Sequence, residues 1–109
     1  MLTGLIIFYM YTGPERRFQR RLSTSESVRV TVFTGKESNS FRGRLVDASR
    51  SGLGIIVDSA VVLGAVVEVR ASGGSVYGIV QHCASAPAGD FRIGVVVEEG
   101  LSGEWLSAQ

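Results

Sequence analysis

Branched aliphatic residues recur at every second position in short runs, and glycine-bearing turns separate one run from the next. Val28, Val30 and Val32 alternate with Arg29, Thr31 and Phe33, and Leu53, Ile55 and Val57 alternate with Gly54 and Ile56. Val67 and Val69 alternate in the same way with Glu68 and Arg70. A period of two sends successive side chains to opposite faces, as a half-buried strand requires and a helix does not. The pattern predicts six short strands, over residues 26–33, 41–46, 53–57, 65–71, 76–83 and 91–97. In the second, Arg42 and Arg44 share one face while Gly43 and Leu45 share the other. Residues 35–40, 47–52, 58–64, 72–74 and 85–89 read as polar loops or turns, and Ser72-Gly73-Gly74 is the clearest hairpin signal. Fourteen glycines suit tight turns and bent strands better than helices. Open edges on strands this rich in valine would pair with other chains, so closure into a small antiparallel barrel is the expected solution.

A chain of 109 residues accommodates one domain with one modest core. Three segments are expected: an apolar arm over 1–14, a barrel domain over 15–100, and a short helical cap over 101–109. In the cap, Leu101, Trp105 and Leu106 would cover an open barrel end. The apolar run from Leu5 to Tyr11 is too short to span a bilayer and has no signal-peptide pattern, so a cytoplasmic protein without a transmembrane segment is expected. Seven successive apolar or aromatic residues need a cover, and a homodimer formed through this arm would provide one. The single cysteine, Cys83, excludes an internal disulfide and a multi-cysteine zinc site, and its apolar surroundings predict a buried, inert thiol.

Charge is placed locally. The net charge is only +1, yet four arginines fall in the six residues Arg16-Arg17-Phe18-Gln19-Arg20-Arg21, with Glu15 the one adjoining acid. Such a run calls for an anionic partner, because guanidinium groups fork onto phosphate oxygens and stack on bases. General nucleic-acid binding is not expected: the net charge is small, Lys36 is the only lysine, and no strand face carries a row of aromatic residues. Catalysis is not expected either. His82 and Cys83 are each the only residue of their kind, and three aspartates in separate segments assemble no nucleophile, base or metal set. His82 reads as an ordinary neutral strand histidine.

The run Glu15-Arg16-Arg17-Phe18-Gln19-Arg20-Arg21, followed by Asp47-Ala48-Ser49-Arg50-Ser51-Gly52, resembles the PilZ domain family. That family carries an RxxxR pair before its first barrel strand and D/NxSxxG after the second. The resemblance continues through Leu53-Gly54-Ile55, Leu63-Gly64 and Phe91-Arg92-Ile93-Gly94-Val95, covering roughly residues 15–100. It implies a six-stranded barrel that binds cyclic di-GMP as ligand, with no other cofactor and no metal. Two registers fit, Arg16 with Arg20 or Arg17 with Arg21. The second agrees better with the family, which has an acid and an arginine before the pair and an apolar residue after it. The ligand residues implied are then Arg17, Arg21, Asp47, Ser49 and Gly52, with Arg16 holding a further phosphate or base and Arg20 and Arg44 as secondary contacts. In an extended arm a spacing of four separates side chains by roughly 13 Å, suited to gripping two sides of a folded cyclic dinucleotide. Asp47 would accept from guanine N–H groups, Ser49 would donate to a phosphate oxygen, and Gly52 would let the ligand approach the backbone.

The function implied is that of a stand-alone receptor, not an enzyme, which relays the second-messenger signal to an effector protein. The alternative is an adaptor that keeps the barrel, binds no ligand and acts through protein contacts.

Overall fold

A computed structural model describes residues 22–49, 51–72 and 74–98. The apolar arm, Arg16, Arg17, Arg20, Arg21, Arg50, Gly73 and the expected helical cap over 101–109 lie outside the described residues. Six strands succeed one another: β1 (Leu22–Thr34), β2 (Glu37–Ala48), β3 (Gly52–Val57), β4 (Val66–Ala71), β5 (Gly74–Ser85) and β6 (Phe91–Val97). They close into the expected antiparallel barrel, in the order β1-β2-β3-β6-β5-β4. No helix among the described residues is long and apolar enough to cross a membrane.

The inward positions are those picked out by the period of two. Val28 and Val30, Leu45, Leu53, Ile55 and Val57, Val67 and Val69, Val76 and Val80, and Ile93 and Val95 are all buried. The described core contains no fully buried aromatic ring, which suits the narrow lumen of a six-stranded barrel. Val61, from the β3–β4 connection, joins the same cluster. That connection is pinned to β5, since Gly64 N donates to Val80 O at 2.7 Å and Val80 N donates to Ala65 O at 3.0 Å. Cys83 is half-buried against the core, so the buried thiol expected from the sequence is only partly realised.

Four strands, β1, β2, β3 and β5, are longer than the alternation predicts. Residues 37–40, read as loop, are strand: Thr34 pairs with Glu37 across a two-residue turn in which Gly35 takes φ +63°. All four of these residues are exposed, so no burial pattern marks them. Backbone pairing extends the hairpin beyond the core, and the hydroxyls of Thr31 and Ser40 meet across it at 2.8 Å. Asp47 and Ala48 likewise belong to β2, and Gly52 already opens β3, which shortens the expected interruption to the turn between them. At the opposite hairpin, Ala71 pairs with Gly74. Glu26 Oε2 reaches across from β1 to accept from Ser72 N at 3.5 Å and Ser72 Oγ at 3.2 Å, tying this hairpin to the barrel.

Glu68 occupies a polar strip on the outer face, accepting from Arg70 Nη2 at 2.9 Å and from the Tyr77 hydroxyl at 3.4 Å. Burial, reinforced by the Glu68 carboxylate, raises the Tyr77 phenol above its usual value near 10. Folding therefore favours the protonated phenol. Its contribution to stability is complete below the unfolded tyrosine value of about 10 and is lost as pH rises through the higher folded value. Wild-type protein and Tyr77→Phe should differ by a constant unfolding free energy below pH ~10, with the wild type losing ground above it. Denaturant titrations across alkaline pH check this; parallel curves for the two proteins would exclude it.

Candidate functional site

Two bulges shape the outer face of the barrel between β2 and β5. Leu45 pairs with Ile55 and Asp47 pairs with Gly54, leaving Val46 as an extra residue in β2. On β5, Val80 pairs with Val95 and His82 pairs with Gly94, leaving Gln81 extra. Strict alternation from the buried Leu45 and Val80 would point Asp47 and His82 into the core. One additional residue in each strand turns both side chains outward. Since Gly54 also pairs with Gly94, the row Asp47–Gly54–Gly94–His82 runs across four consecutive strands. Its two central members have no side chain.

Arg92 approaches this row from β6. Its Nη2 donates to Asp47 Oδ2 in a charge-assisted hydrogen bond and ion pair, with the arginine 43% and the aspartate 15% exposed. The pair crosses directly over Gly54. A Cβ on Gly54 would lie 2.7 Å from Arg92 Nη2 and 2.9 Å from Asp47 Oδ2, closer than any relaxed contact. Gly54 is therefore needed for the approach of the two charges, not for an unusual backbone angle. Around it opens a cleft of about 360 Å³, lined by Asp47, Gly54, Gln81, His82, Arg92 and Gly94 and bordered by Ser51 and Gly52. Its charged groups are an anchored carboxylate and an arginine with substantial access to solvent.

The turn after β2 fixes one border. Ser49 is buried, its backbone N–H donates to Gly52 O at 2.9 Å, and its hydroxyl donates to the same oxygen at 3.4 Å. The second bond is long and correspondingly weak. Here Ser49 closes the turn, whereas the family motif implies a hydroxyl facing a phosphate. Gly52 pairs with Val96, and a Cβ there would meet Val95 O at 3.2 Å, so its lack of a side chain serves the tight β3–β6 contact as well as the cleft.

The start of β1 forms the neighbouring side. Leu22 pairs with Ala48 and Ser23 with Asp47. The backbone immediately after Arg21 in the sequence thus runs beside the residue that carries the outward carboxylate, one strand spacing of about 5 Å away. Arg44 instead lines a separate cleft of about 410 Å³ with Arg42, Asp58 and Asp90. Sequence reasoning assigned no role to Arg92 or His82, which the structure brings into the Asp47 cleft. A signal existed for His82. Gln81 and His82 are consecutive polar residues after the inward Val80, as a bulge allows. For Arg92 the signal is the pairing of β6 with β3, which sequence alone does not supply. Among the described residues no group of three or more metal-ligating side chains is gathered.

The family model for the PilZ domain matches residues 14–104. A comparison with curated proteins found no match. Among solved structures, the inhibitor of motility MotI/DgrA from Bacillus subtilis is similar over 86% of this chain, with a TM-score of 0.53 and 11% sequence identity. The match covers 47% of that protein, so this chain spans about half its length, and at this identity the likeness is one of fold.

If Gly54 serves the approach of Asp47 and Arg92, Gly54→Ala should separate the pair as Arg92→Ala does, each costing roughly 1 kcal/mol because the arginine is well exposed. Combining them should cost little more than either alone. Denaturant unfolding of the two single variants and the double variant measures this; fully additive losses would show that Gly54 serves something other than the ion pair.

Proposed function

The chain belongs to the PilZ domain family, and from that membership together with the Asp47 cleft we propose that it is a cyclic di-GMP receptor which passes the signal to a protein partner. The observation that carries this reading is the outward carboxylate of Asp47, aimed by a bulge over a glycine floor and flanked by the strand that continues from the arginine run. A carboxylate beside an open, side-chain-free surface suits a flat purine. Its two oxygens accept from adjacent N–H groups on one edge of guanine, a donor pair that adenine lacks. Arg92 restrains the carboxylate before ligand arrives and keeps a second guanidinium within the same cleft, available for a phosphate oxygen or for guanine O6 and N7.

In this proposal Arg17 and Arg21 supply the remaining grip, Arg16 holds a further phosphate or base, and Arg20 is a secondary contact. Any backbone of the arm that is fixed on binding costs roughly 1–2 kcal/mol per residue, which charge-assisted hydrogen bonds must offset. The ligand-bound arm is then the changed surface that a partner reads, a population shift driven by the difference in affinity between the two states. Ser49 and Gly52 shape the turn beneath the ligand, and the long Ser49 hydroxyl bond is readily exchanged for a phosphate oxygen.

One observation favours the other reading, an adaptor without ligand: Asp47 and Ser49, the two polar side chains of the second motif, already have partners inside the protein. Calorimetric titration with cyclic di-GMP decides between the two. Saturable binding is expected, with Arg17→Ala and Arg21→Ala each losing at least about 1.5 kcal/mol of affinity while thermal unfolding stays unchanged. Absence of binding by the wild-type protein would leave the adaptor reading standing. Discrimination against cyclic di-AMP should be large in the wild type and small in Asp47→Ala. Equal affinity of the wild type for the two dinucleotides would remove the guanine-reading role from Asp47.

A further inference from the structure

On the side of the barrel formed by β2, β1 and β4, the strand register creates a feature with no part in the Asp47 cleft. Arg29 pairs with Arg42 on one side and with Arg70 on the other, so three arginines stand in a single row across three adjacent strands. Arg44 lies two residues from Arg42 on the same outward face, and all four are exposed. Like charges directly opposite each other in a sheet are destabilising. Glu68 neutralises Arg70 at 2.9 Å, but no carboxylate among the described residues pairs with Arg29, Arg42 or Arg44.

The row lies along a groove. A cleft of about 280 Å³ is lined by Arg29, Arg42, Arg70 and Ser72, while the 410 Å³ cleft contains Arg42 and Arg44. The two share Ser27 and Arg42, so they adjoin end to end and together make a channel along this face. The short side chain at Ser27 leaves it open between the arginines. Charge along this channel is not uniform, because Asp58 and Asp90 line the larger cleft together with Arg42 and Arg44, following Val57 and preceding Phe91 on the strands beside Gly43.

We propose that this channel is a docking site for an extended protein segment that is acidic along most of its length and basic at one end. Charge complementarity selects this occupant: glutamates or aspartates meet Arg29, Arg42 and Arg70, and a lysine or arginine meets Asp58 and Asp90. A nucleic-acid backbone or an anionic membrane presents unbroken negative charge and is repelled at the aspartate end. The arginine row, in which only Arg70 has an ion-pair partner among the described residues, then has a purpose that offsets its cost to the isolated barrel. The proposal stands apart from dinucleotide binding, since neither cleft includes Asp47, Arg92 or His82.

The test uses the full chain and the double variant Arg29→Ser/Arg42→Ser, with a fluorescein-labelled glutamate-rich peptide ending in lysines as probe. Fluorescence anisotropy at low salt should show the wild type binding this peptide, and the double variant binding it at least about tenfold more weakly. A control peptide with glutamine in place of glutamate should bind at the double variant's level or below. The unfolding midpoint of the double variant should equal or exceed that of the wild type, because a like-charge contact has been removed. Cyclic di-GMP titration should give the same result for both proteins, whether or not ligand binds, so failure of the receptor reading leaves this proposal intact. No peptide binding by the wild type, equal binding by the double variant, or a lowered midpoint would overturn it. Tighter binding of a single-stranded oligonucleotide or of anionic phospholipid vesicles would overturn the choice of partner. Self-association abolished by the double variant in sedimentation would assign the channel to a second copy of the chain instead.

Discussion

A closed ladder with a narrow valine core fixes which side chains can face outward, and an additional residue in a strand is a direct way to change the assignment. In this barrel the register is held on both sides of every strand, so slipping a whole strand to expose one residue would expose its entire buried set. The additional residues at Val46 and Gln81 avoid that cost. Each leaves the inward valines, leucine and isoleucines in place and reverses only the part of its strand beyond the bulge. The outward carboxylate at position 47, the imidazole at 82 and the glycine floor between them all depend on this local break within an otherwise strict alternation.

The ion pair over Gly54 links that geometry to chemistry. A bare aspartate on an exposed strand would sample several rotamers, whereas Arg92 holds Asp47 in one orientation and limits its exposure. The same contact gives the cleft two opposite charges within hydrogen-bonding distance of each other, suited to a ligand that carries both donors and acceptors. A ligand donor at Asp47 would share the carboxylate with Arg92, and affinity gained there would depend on one partly exposed ion pair, a term sensitive to ionic strength.

The two faces of the barrel handle charge differently. Around Asp47, acid and base are paired and sit over glycines. Around Arg29, like charges are aligned by register, and among the described residues Arg70 alone of the row is held in an ion pair. Both arrangements occupy outward positions that the hydrophobic core leaves unconstrained. Differences at such positions are therefore the natural place to find what this barrel recognises.

The valine alternation marked the strands and most of the residues that face the core, and it made closure into a barrel the expected solution. Burial imposes a period of two on the sequence, and that imprint is readable at Val28, Val30, Ile55 and Val67. Strand residues 37–40 escaped because both of their faces meet water and nothing selects an alternating pattern. The motif at Asp47, Ser49 and Gly52 was legible as a unit of neighbouring residues, while the contacts of Ser49 with Gly52 across the turn came from the structure. The partnership of Asp47 with Arg92, the outward aim of His82 and the row of Arg42, Arg29 and Arg70 were decided by tertiary structure. Each joins residues distant in the chain, and such contacts arise from strand order and bulge position, which the alternation of apolar residues does not encode.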